Sequence, residues 1–102
     1  MSTSRREHKL RQLCEQASAA VSLALGDCRD PLLQDLVVEA VEPAPNASRL
    51  RVVVTAGPGA DAPVILQALT RARGYLRGHI AADIHRTHAP ELVFELAPPP
   101  QD

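Results

Sequence analysis

The chain has 102 residues, 45% of them apolar and 23% charged, with a formal net charge of −1. That length bounds it to one domain with an adequate core, and the near-neutral charge argues against a generic nucleic-acid binder, whose domain is strongly basic. No apolar run approaches a membrane span, MSTSRREHKL holds no apolar signal region, and Cys14 and Cys28 read as buried thiols, so a small cytoplasmic domain is expected.

Residues 1–5 are polar and expected to be disordered; the folded domain is expected over 6–97. A first helix is predicted from about Arg6 to Leu25. Leu10, Leu13, Cys14, Ala17 and Val21 form its apolar stripe, and Gly26 stands where a left-handed C-terminal residue is common. Asp30-Pro31 turns the chain out. Leu36 to Glu42 reads as a strand stopped by Pro43 and Pro45, and PAPNAS is turn chemistry. Arg49 to Ala56 is a second strand, with Leu50, Val52 and Val54 on one side. The two strands make an antiparallel hairpin.

After AGPGADAP, Asp61 is placed as an N-cap and Pro63 in the first helical turn. A second helix buries Val64, Ile65, Ala68, Leu69 and Ala72. Gly74 interrupts, and a third helix runs from Tyr75 to about Arg86. Ala89-Pro90 bars further helix, and Glu91 to Leu96 alternates as a third strand. Residues 98–102 (PPPQD) form a Pro-rich tail that cannot pair in a sheet. The order αββααβ is an α+β fold, a three-stranded sheet with helices on one face, the last two helices meeting at a Gly74 elbow.

Charge is segregated along this order. Arg71, Arg73, Arg77 and Arg86 crowd the last helices, with Asp83 the only acid before Glu91, while Asp27, Asp30, Asp35, Glu39 and Glu42 gather earlier. Arginine suits planar, bidentate contact with phosphate. Arg73 and Arg77 are four apart, so they share a face beside Gly74, where a sugar-phosphate strand could come close.

The order and the elbow together resemble a type II KH domain. Ala72-Arg73-Gly74 is similar to the Ala-x-Gly kink that the bacterial ribosome-binding factor A family carries where ordinary KH domains have a GxxG loop. ARGYLRGHIA resembles that family's A-x-G-[FY]-[LI]-R pattern and APELVF its x-P-E-L-x-F strand. Asp30-Pro31, Val41-Glu42 and RVVVT also fall in register, so the resemblance covers about residues 6–97. It implies a factor in late maturation of the small (30S) ribosomal subunit that binds 16S rRNA and does no chemistry. The RNA-facing residues it implies are Arg71, Arg73, Gly74 and Arg77, with Arg86 added from the cluster and Ala72 and Gly74 as the kink. The chain departs from the family at Leu32, where Arg usually follows Asp-Pro, and at Val53, where an aromatic is usual.

Other chemistries find less support. His79 and Asp83 lie one helical turn apart, but no metal motif fits their spacing, so no metal or other cofactor is expected. Gly57-Pro58-Gly59 lacks the residues of a phosphate loop. No nucleophile, base and orienting group assemble by spacing, which argues against an enzyme. Tyr75 and Phe94 are too few for a stacking sheet; Phe94 reads as core, and Tyr75 as either a half-buried helix residue or a stacking partner. The rival reading is a protein-interaction module on the same scaffold, with little RNA contact. In either case the free protein is expected to be a monomer.

Overall fold

The computed structural model describes residues 5–84 and 90–97. Helix α1 spans Arg5–Gly26 and a one-turn helix α2 spans Pro31–Gln34. Strands β1 (Val37–Pro43) and β2 (Arg49–Thr55) precede a long helix α3 (Ala62–Ile84), and β3 (Glu91–Leu96) closes the chain. The sheet order is β1-β2-β3, with β1 antiparallel to β2 and β3 parallel to it. A parallel partner needs a crossover, and α3 supplies it.

β2 is the centre of the molecule because it alternates cleanly. Leu50, Val52 and Val54 are fully buried, while Arg51, Val53 and Thr55 point the other way. Onto the buried side pack Ala17, Val21, Ala24 and Leu25 of α1 and Ile65, Leu69, Leu76 and Ile80 of α3, with Leu92 of β3. No polar side chain is buried among the described residues. One sheet face therefore carries the whole core and the other is open, which is the expected α+β layering.

Val64, expected on the buried side of the second helix, is exposed; three further local expectations need correction. First, the two helices expected to meet at Gly74 are one helix, unbroken from Ala62 to Ile84. Ile65, Leu69, Ala72, Leu76 and Ile80 keep one helical phase straight through Gly74, so burying that stripe holds both halves in register. This outweighs the helix penalty of glycine, about 1 kcal/mol. Second, Gly26 is the last residue of α1 without a positive φ; Gly59, in the turn before α3, has φ 79°. Third, Asp30-Pro31 does more than turn the chain. Asp30 caps α2, its side chain accepting from the Leu32 amide at 3.0 Å, with Pro31 in the first turn.

The remaining boundaries stand close to expectation. Asp61 caps α3 through the Val64 amide, 3.4 Å away. β1 carries a bulge between Val38 and Ala40, so Glu39 reaches the Thr55 hydroxyl at 3.0 Å. The hairpin turn includes a cis Ala44–Pro45 bond, and Asn46 Oδ1 accepts from the Ser48 amide and hydroxyl. The expected N-terminal and C-terminal tails, apart from Arg5, and the end of the third predicted helix with Arg86 lie outside the described residues.

Candidate nucleic-acid interface

Helix α3 turns about 100° per residue, so Arg71 and Arg73 leave it in nearly opposite directions while Arg73 and Arg77 stay together. The two flanks face different neighbours. Arg73 lines a groove of about 380 Å³ between α3 and the edge strand β3, together with Arg49, Leu66, Thr70, Glu91 and Phe94. Leu66 and Phe94 also line the next hollow, so the groove continues toward the Gly57–Ala60 turn. Arg71 is exposed and borders a separate cavity against the α1–α2 turn.

Arg77 and Arg73 are engaged differently. Arg77 Nε donates to the carbonyl of buried Pro90 at 3.0 Å, and its Nη2 lies 3.3 Å from Glu91 Oε1. Arg77 thus ties α3 to the start of β3. Arg73 is half-buried, and its Nε is shielded from solvent without a hydrogen-bond partner among the described residues. The side chain lines the groove and enters none of the ion pairs among the described residues.

Gly74 is exposed on the ridge between these flanks. A Cβ built there would meet nothing within 4 Å, and its backbone is helical without a positive φ. Among the described residues neither packing nor conformation asks for glycine at this position. Ala72 is different: it packs against the core. The two kink residues therefore serve opposite sides of one helix.

The sheet's open face is of the other sign. Arg51 is held between Glu42 at 2.9 Å and Glu95 at 3.5 Å, and Glu39 sits on the bulge beside them. These pairs are solvent-exposed and contribute little to stability. They do use Arg51 up, leaving the face acidic. Sequence spacing did not reveal Arg49 or Thr70 as groove residues. Arg49 comes opposite Glu91 only through the parallel β2–β3 register, which a linear reading cannot supply.

Among the described residues no helix is long and apolar enough to cross a membrane. Cys14 and Cys28 are free thiols; Cys28 is buried and Cys14 partly so. Burial pushes both thiols above their ordinary value, aided by Glu42 at Cys14 and by Asp30 and Asp27 at Cys28.

Residues 9–98 match the family model for ribosome-binding factor A. The curated ribosome-binding factor A of Coprothermobacter proteolyticus is 32% identical over 91 residues, 89% of this chain and 65% of that protein. That of Magnetococcus marinus is 37% identical over 78 residues, covering 76% of this chain and 63% of its own length. The chain thus spans about two thirds of these relatives. The crystal structure of ribosome-binding factor A from Thermus thermophilus superposes with a TM-score of 0.74 at 30% identity, covering 85% of this chain and 94% of that one. Coordinates of the Thermus thermophilus factor fitted into the cryo-EM map of a 30S complex superpose with a TM-score of 0.67 at 30% identity, covering 80% and 88%. The fold is the type II KH-like one expected. The chain belongs to the ribosome-binding factor A family.

Proposed function

We propose that this chain binds the small ribosomal subunit and assists its late maturation, contacting 16S rRNA through α3 and catalysing no reaction. It acts in the cytoplasm, where subunits are assembled, and is a monomer when free. The carrying observation is Gly74, bare on an exposed ridge that nothing among the described residues requires to be bare. Arg73 flanks it on the β3 side and Arg71 on the other. A sugar-phosphate strand laid over the ridge meets backbone at Gly74 and guanidinium on both shoulders. The relative fitted into a 30S complex supports the choice of partner.

The roles within the cluster differ. Arg73 and Arg71 neutralise phosphate directly. Arg77 contributes mainly by holding the groove wall in place through Pro90 and Glu91. With two phosphates neutralised, log affinity falls with log salt at a slope of about −1.4 for single strands. The test is co-sedimentation of tagged protein with 30S subunits at two salt concentrations. Arg73→Glu should lose subunit binding while keeping its urea midpoint; full co-sedimentation of that variant at both salts overturns the reading.

A second reading has its own observation. The open sheet face, with Glu39, Glu42 and Glu95, suits a basic protein partner better than RNA. Binding through it would survive Arg73→Glu and would be lost in Glu95→Lys. The paired variants separate the two.

A further inference from the structure

Arg71 and Tyr75 lie on the flank of α3 turned away from the β3 groove, and of this flank the ridge reading uses Arg71 alone. There α3 and the α1–α2 turn enclose a cavity of about 450 Å³, within the range of small-ligand sites. Its floor is apolar: Cys28, Leu33, Ala68 and Ala72. Tyr75 forms a wall and keeps 47% of its surface exposed. The ring is braced from one side by His79, edge-on with centroids 4.6 Å apart.

The rim carries two cations and two acids, Arg29 and Arg71 against Asp27 and Asp30. The ion pairs among the described residues use neither Arg29 nor Arg71. Asp30 spends one oxygen on the Leu32 amide and keeps the other. The turn itself is buttressed, because Gln34 Nε2 donates to the Cys28 carbonyl at 2.6 Å. The cavity therefore has a fixed mouth, an apolar floor and one aromatic face.

We propose that this cavity receives one unpaired nucleobase of single-stranded RNA, stacked on Tyr75, with guanine preferred; this rests on the RNA-binding reading above. Unstacked bases are recognised by stacking on aromatic rings and by hydrogen bonds to their Watson–Crick edges. A carboxylate only accepts, and guanine alone presents two adjacent donors, N1–H and N2–H, to accept from. Asp27 or the spare oxygen of Asp30 supplies that acceptor. Arg29 and Arg71 take the phosphates on either side of the inserted base. The strand thus crosses the bare ridge at Gly74 and drops one base into the far flank.

Tyr75 is the only tyrosine and the chain has no tryptophan, so the emission comes from this one ring, which lines the cavity and also the hollow beside Gly74. The experiment titrates the protein with uridine nonamers carrying a central guanosine, adenosine or uridine. Tyrosine emission is corrected against N-acetyltyrosinamide in the same RNA, and anisotropy of labelled RNA gives affinity independently. The guanosine nonamer should quench the emission and bind about tenfold tighter than the uridine nonamer. Asp27→Asn should erase much of that preference, and Arg71→Gln should weaken all three nonamers alike. If Tyr75→Leu fails to fold by circular dichroism, the wild-type quench and the exposed Arg71→Gln variant still decide.

RNA that binds by anisotropy without moving the emission overturns the cavity proposal and leaves the ridge reading standing. Equal quenching and affinity for all three nonamers overturns the guanine preference. No binding of any nonamer removes both proposals. Binding of labelled protein to an RNA-free ribosomal-protein fraction that Arg71→Gln weakens, with no response to RNA, overturns the proposal and assigns the cavity to a protein side chain.

Discussion

The two flanks of α3 carry arginines of the same chemistry put to different uses. Toward β3, Arg77 is spent on the Pro90 carbonyl and on Glu91, and Arg73 looks into a groove whose far wall is a strand. Toward α2, Arg71 enters no ion pair among the described residues and stands over an apolar cavity. A guanidinium counts toward ligand binding only after its partners inside the fold are subtracted. By that measure Arg71 and Arg73 outrank Arg77, although linear spacing makes the three look equivalent.

Both flanks depend on one buried stripe, and cutting it is the harshest test. Leu76 is fully buried beneath Gly74. Leu76→Ala should cost about 2–5 kcal/mol, read as a lower urea midpoint, and should abolish binding through either flank. Retained subunit binding in that variant would show that the flanks do not need the helix to be held.

Next comes the contrast between the arginines themselves. Arg73→Glu should weaken 30S association by about tenfold or more, roughly 1.4 kcal/mol, with little change in stability. Arg77→Ala should do the reverse. Losing a charge-assisted bond to the Pro90 carbonyl should lower stability by about 1 kcal/mol, the value reduced because the side chain is a third exposed. Equal effects of the two variants on stability and on binding would erase the distinction.

Gly74→Ala sharpens the comparison from the ridge between the flanks. An added methyl has open space and a better helix former replaces glycine, so stability should rise by up to about 1 kcal/mol. Subunit binding should nonetheless fall. A variant that is both more stable and an equally good binder would show that the bare ridge has no external purpose.

The smallest effect is a pH dependence on the α2 flank. The Cys28 thiol has its folded pKa raised above the ordinary 9.0 by burial, then by Asp30 and Asp27. The neutral thiol is the form the fold favours, so its contribution is complete below 9.0 and is lost as pH rises through the folded pKa. Cys28→Ala should flatten part of the alkaline fall in urea midpoint, and an unchanged profile would count against a shielded cavity floor.

Much of this was legible in the residues alone because local periodicity and packing agree. The alternation Leu50-Arg51-Val52-Val53-Val54 settles which side of β2 is core, and Asp61 with Pro63 marks the start of α3. The elbow was misread at Gly74 because glycine is a local signal, whereas the stripe from Ile65 to Ile80 acts across the whole helix. The candidate site was legible only in part. Arg71, Arg73, Arg77 and Gly74 stand out in the chain, but Arg49 and Thr70 do not.

The chain by itself determined the strands, the core face and the family motifs, since these depend on neighbours within a turn or a pleat. The tertiary structure decided which arginines are spent and which remain available. It did so by bringing β3 parallel to β2 and setting Arg49 opposite Glu91, and by placing the α1–α2 turn against α3. Such pairings join residues tens of positions apart, and their partners are chosen by how the buried faces close on one another.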